Sequence, residues 1–116
     1  MNKIILLILL ALPAHAVEPP EEARRKAALM CGNRANIARQ VQVIRTTLGH
    51  TFEEYVTNVE RIYIDNSGRQ EILITGLFVY DRIPLNMDLT RLFDGVYGLC
   101  VAEEAEAYRL TQLPSF

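Results

Sequence analysis

The chain reads as a small all-α protein, a four-helix domain with its first and last helices joined by one disulfide. Three observations predict this. Apolar residues recur at three- and four-residue intervals in successive segments. Capping residues and Gly or Pro breaks fall between those segments. The two cysteines, Cys31 and Cys100, stand on the first and the last of them.

A targeting segment precedes the domain. Met1-Asn2-Lys3 gives a positive start, Ile4 to Leu12 is an apolar run, and Pro13 breaks it. Ala14-His15-Ala16 is the small-x-small pattern that a signal peptidase cuts. Residues 1–16 are therefore expected to be a cleaved signal peptide, with residues 17–116 forming a single helical domain in the periplasm. The apolar run is about half the roughly 20 residues needed to cross a bilayer. Val17 stands where a lipoprotein would place its cysteine. A stable membrane anchor is not expected.

Pro19 and Pro20 suit a helix start, and Glu21 and Glu22 sit near the positive end of its dipole. The first helical pattern runs to Leu48. Met30, Ile37, Val41, Ile44 and Leu48 form its apolar row, with Ala27, Cys31, Ala35 and Ala38 beside them. Gly32-Asn33 is a site for a kink or interruption, and Gly49 is a stop. Thr51 and Glu54 have capping-box spacing for a second helix. Its apolar face is Phe52, Tyr55, Val56, Val59, Ile62 and Tyr63. Asp65-Asn66-Ser67-Gly68 is a turn, and Ser67 with Gln70 offers another capping box.

The segment from Glu71 to Tyr80 is ambiguous. Ile72, Ile74, Thr75, Phe78, Val79 and Tyr80 all favour strands. A lone strand would have no partner among helical neighbours, so the segment is read as a buried helix ended by Pro84. Asn86 is placed to cap the fourth helix, on which Leu89, Leu92, Phe93, Val96, Tyr97 and Cys100 keep the helical period. Glu103, Glu104 and Glu106 make a solvated end, and Leu110 to Phe116 reads as a loosely held tail.

Composition narrows the function classes. Removing Lys3 from the 12 basic residues leaves 11 against 14 acidic ones, a net charge of −3 beyond the signal segment. That balance argues against nucleic-acid binding, which favours a concentrated basic face. An even cysteine pair in an exported chain reads as a structural disulfide, Cys31 to Cys100. There is no G-x-S-x-G elbow, phosphate loop or H-E-x-x-H motif. His50 is the one histidine beyond the signal segment, too few for a metal site, and it lies in a turn. Histidine is also a side chain that titrates near neutral pH, so His50 is the candidate for a pH switch. Asp81, Asp88 and Asp94 are candidate carboxylates without a predicted shared cleft. Asp88 is read as serving the first turn of its helix. Tyr55, Tyr63, Tyr80 and Tyr97 read as core or core-edge residues, with one or two available as anchors for a protein partner. Arg24-Arg25-Lys26 is a solvated basic run. No catalytic, cofactor-binding or metal-ligating residue is assigned.

The chain resembles a family of small exported all-helical proteins of unknown function from Gram-negative bacteria and their phages. The resemblance rests on a cysteine followed by Ala38 to Arg45 and Gly49, and on an apolar helix ending Leu77 to Tyr80. It closes with Phe93, Tyr97 and the pair Leu99-Cys100. It implies an all-helical domain with a cysteine bridge and no catalytic residue. The function expected is non-catalytic binding of another periplasmic protein. The alternatives are an immunity protein against a periplasmic toxin and an acid-stress holdase.

Overall fold

The computed structural model describes residues 19–63 and 68–114. The expected signal peptide lies outside the described residues, as do Ser67 and Phe116. The described residues form four α-helices and no strand: α1 (Glu21–Val43), α2 (Phe52–Ile62), α3 (Arg69–Arg82) and α4 (Leu89–Thr111). A π-helical turn, Ile44–Leu48, continues α1. None of the four is long and apolar enough to cross a membrane.

Pro20 is the N-cap of α1, with Glu21 and Glu22 in its first turn. The helix runs through Gly32-Asn33 without the expected interruption. A glycine inside a helix costs about 1 kcal/mol relative to alanine. Here the flanking Cys31 and Ala35 are fully buried, and that packing outweighs the local preference. Gly49, at φ 67°, ends the π-helical turn in the left-handed region that glycine adopts freely.

The capping box at α2 forms as expected. Thr51 Oγ1 accepts from the Glu54 backbone N–H (3.2 Å), and Glu54 Oε1 accepts from the Thr51 N–H (3.0 Å). These bonds hold the Glu54 carboxyl below its ordinary range. The Glu71–Tyr80 segment is helix, inside α3. Gly68, at φ 90°, is the N-cap of α3. Ile83 is extended just before Pro84, where proline disfavours helix, and α3 stops at Arg82.

Two boundaries of α4 differ from the sequence reading. Its N-cap is Asp88, which accepts from the Arg91 N–H at 3.1 Å, and not Asn86. Asn86 is used in the turn closed by Met87 N–H to Pro84 O (3.1 Å). At the other end, Leu110 and Thr111 belong to the helix and not to a tail. Alanines 102, 105 and 107 have high helix propensity. Arg109 also donates twice to Glu106, at 3.0 and 2.6 Å.

The helices run up, down, up, down, but they are not packed in chain order. α1 packs on α4 and on α3, and α3 packs on α2. Cys31 joins Cys100 with Cα atoms 5.5 Å apart, which ties α1 to α4. That closeness explains a correction on α1. Its buried row is the small one, Cys31, Ala35 and Ala38, followed by Val41 and Gln42. Small side chains let two helices approach, since interaxial distance depends on the residues at the contact. Met30, Ile37 and Ile44 are left half-buried, and Leu48 is exposed. The core is completed by Tyr55, Val59, Val79, Leu92 and Val96.

A polar latch closes the top of the fold. Gln42 is buried and donates to the Pro84 and Leu85 carbonyls, at 3.0 and 3.2 Å. Arg45 donates to the Val79 and Ile83 carbonyls, at 3.1 and 2.6 Å. Its guanidinium also lies 5.4 Å from the centre of the Tyr80 ring. The last carbonyls of a helix lack intrahelical partners and carry partial negative charge. One cation from the π-helical turn therefore satisfies Ile83 O and adds a second donor to Val79 O, which also accepts from the Ile83 N–H.

Candidate functional site

Helix α3 carries apolar residues on two faces. Thr75, Gly76 and Val79 are buried against α1 and α2. Ile74, Leu77 and Phe78 lie on the other side and are exposed by 67%, 52% and 36%. Helix α4 presents Leu99 to solvent in the same region, 60% exposed. Between α3 and α4 lies a groove of about 670 Å³. Ile74 and Phe78 form one wall, and Val96, Leu99 and Glu103 form the other. Arg34 of α1 and Cys100 also line it.

Charge collects at one end. Glu71 pairs with Arg34 across the helices, Nε to Oε1 3.5 Å. This contact lacks hydrogen-bond geometry, and Glu71 Oε1 is buried with no hydrogen-bond partner. Arg34 also donates towards Cys100 Sγ at 3.5 Å. Glu103 is exposed and has no ion-pair partner among the described residues.

A second groove, about 590 Å³, lies between α1 and α2. It is lined by amide side chains including Asn36 and Asn58, and these accept from Arg39 and Arg61 on their own helices. Its amides are thus partly engaged, and the exposed apolar residues that line it are Leu48, Ile62 and Tyr63.

Of the residues singled out from the sequence, His50, Tyr55 and Tyr63 line the second groove, and the aspartates lie away from both grooves. His50 is half-buried after the π-helical turn, and its carbonyl accepts from Tyr80 Oη at 2.8 Å. Asp81 pairs with the adjacent Arg82, Asp88 caps α4 and Asp94 is exposed. None of these aspartates lines either groove. Tyr55 is buried and donates to the Ile72 carbonyl at 2.7 Å. It packs with Phe52 and Tyr80 in an aromatic cluster whose centroids lie 5.5 to 6.4 Å apart. Tyr97 is half-buried and stacks on Phe93, and Tyr63 is exposed at the rim of the second groove. Arg24, Arg25 and Lys26 are exposed, with Lys26 3.8 Å from Glu22. Among the described residues, no group of three His, Cys, Asp or Glu side chains is placed to hold a metal ion.

The sequence reading did not single out Ile74, Phe78, Leu99 and Arg34 as a site. A signal for the α3 wall was present. The residues that made Glu71–Tyr80 ambiguous are those that make α3 apolar on two sides. Comparison of the chain with protein-family models, curated proteins and solved structures gives no match.

Proposed function

We propose that this is an exported, non-catalytic protein that acts by binding another protein in the periplasm, through the groove between α3 and α4. The observation that carries the reading is the second apolar face of α3. Scattered exposed apolar residues are normal on any protein, but a contiguous patch with polar groups at its edge marks an interaction surface. Ile74, Phe78 and Leu99 make such a patch, with Glu71 and Glu103 at one end. The disulfide favours an oxidising compartment, in agreement with the Ala14-His15-Ala16 segment. The resemblance to small exported helical proteins points the same way.

Affinity capture with the mature protein from the host's periplasmic fraction, read by mass spectrometry, tests this. Wild type should retain a partner that Leu99→Asp and Ile74→Asp lose, with both variants keeping their helical circular dichroism. Both residues are largely exposed, so neither change opens the core. Identical partners for wild type and both variants would remove the groove from consideration. N-terminal sequencing of the exported form should begin at Val17.

A further inference from the structure

We propose that the occupant of the α3–α4 groove is one amphipathic helix of the partner, with Lys or Arg seated over Glu71 and Glu103. The proposal rests on the reading that this groove binds protein. Three observations carry it.

The first is the helix arrangement. α1 packs on both α3 and α4, while α3 and α4 are not packed on each other. Three such helices occupy three corners of a four-helix bundle. α2 does not fill the fourth corner, because it packs on α3 and lines the other groove. A bundle buries its apolar stripes by helix-on-helix packing, so the shape that completes this corner is a helix. The second observation is the absence of a strand among the described residues. An extended peptide would find no sheet edge here to supply backbone hydrogen bonds. The groove runs from Gln70 to Phe78 along α3, about two helical turns. That length suits anchors at i, i+3 or i+4, and i+7 of a docked helix.

The third observation is charge. A carboxylate accepts up to about four hydrogen bonds, and a buried one without a donor is costly. Glu71 Oε1 is such an atom, closed off from solvent beside Arg34, while the Glu71 side chain as a whole stays 34% exposed. Glu103 faces the same groove without an ion-pair partner among the described residues. Two carboxylates against the one guanidinium of Arg34 leave this end of the groove net negative, and a cationic side chain of the docked helix would balance it.

The test uses synthetic peptides and isotope-labelled, oxidised mature protein. The probe is an 18-residue Leu/Ala amphipathic helix flanked by Lys. Its controls are the same peptide flanked by Glu, and one with Pro at its centre. Amide shifts on titration should concentrate at Ile74–Phe78 and Val96–Glu103. Both control peptides should bind roughly tenfold more weakly, as should the Lys peptide to Glu103→Gln; tenfold in Kd corresponds to about 1.4 kcal/mol. Glu60→Gln, an exposed site on α2, should leave binding unchanged.

Equal affinity for the Lys and Glu peptides would overturn the charge assignment. Equal affinity for the Pro peptide would overturn the helix. Shifts of the groove amides with protein concentration alone would show a second copy to be the occupant, and would overturn the proposal. If capture depends on Leu99 while no helical peptide binds, the helix assignment fails and the binding reading stands. If neither is seen, both fail.

Discussion

Substituting alanine for glycine should change stability in opposite directions at two places in this fold. Gly76 lies where α3 meets α2. A Cβ added there would lie 2.7 Å from Tyr55 Cζ and 2.8 Å from Tyr55 Oη. Tyr55 is buried, and its hydroxyl is bonded to Ile72 O, so the ring has no free direction in which to retreat. Gly76→Ala gains about 1 kcal/mol of helix propensity. Against that, overpacking costs about 1–3 kcal/mol. Displacing the Tyr55 hydroxyl forfeits a hydrogen bond worth about 1 kcal/mol. The net expectation is a loss of about 1–3 kcal/mol.

Gly95 and Gly98 lie in α4 with nothing within 4 Å of an added Cβ. There the propensity gain stands alone, and each Gly→Ala should stabilise by about 0.5–1 kcal/mol. Urea unfolding of the oxidised protein at constant slope measures both directions. Tyr55→Leu should cost less in the Gly76→Ala background than in wild type, because the two residues share one contact. The reasoning is refuted if Gly76→Ala is as stable as wild type while Gly98→Ala gains stability. That result would mean that α2 and α3 separate at no cost.

Three further outcomes follow from the structure. The bridge between Cys31 and Cys100 closes a loop with sequence separation 69, for which chain entropy gives about 4 kcal/mol. Cys31→Ser, Cys100→Ser and the double variant should lose similar stability in denaturant unfolding, and unfolded, unreduced wild type should show no free thiol. Arg45→Met should cost about 2 kcal/mol in thermal unfolding, since charge-assisted hydrogen bonds contribute about 1.5–3 kcal/mol. Arg45→Lys should recover only part, because ammonium lacks the planar guanidinium face that lies over the Tyr80 ring, 5.4 Å from its centre. Burial pushes the Tyr55 phenol up to about 12, and Tyr80 is raised by the same cause. A folded pKa above the unfolded value of about 10 favours the protonated, folded form. The tyrosine contribution should be intact below about pH 10 and lost as pH rises through about 12. Tyr55→Phe should flatten the decline in urea stability between about pH 9 and 12, and an unchanged slope would rule out Tyr55 as its source.

Much of the local architecture was legible in the residues themselves. Helix starts and stops depend on neighbours three or four positions away, and those are visible in a linear sequence. Thr51 with Glu54 acts through bonds within one turn, Glu21 and Glu22 after Pro20 act on the helix dipole, and Gly49 stops the helix by its left-handed backbone. The disulfide was legible for a different reason: with two cysteines there is one intramolecular pairing. Local reasoning failed where a long-range contact decided the outcome. Gly32-Asn33 stays helical because Cys31 and Ala35 are clamped on α4. Asn86 yields the cap to Asp88 because the Pro84–Met87 turn uses it.

The sequence by itself determined four helices, their capping at α1 and α2, and the bond that ties first to last. Tertiary structure decided which face of α1 and of α3 is inside, while the buried residues of α2 and α4 belong to the rows read from the sequence. On α1 the close approach to α4 selected Cys31, Ala35 and Ala38 over the larger row. The latch of Gln42 and Arg45 onto the end of α3 joins residues more than 30 positions apart, and no local pattern encodes it. The groove was decided in the same way. α3 is apolar on two sides, and only the packing order α2, α3, α1, α4 determines which side is left open. Burial is a property of the whole assembly of helices, while periodicity is a property of one helix.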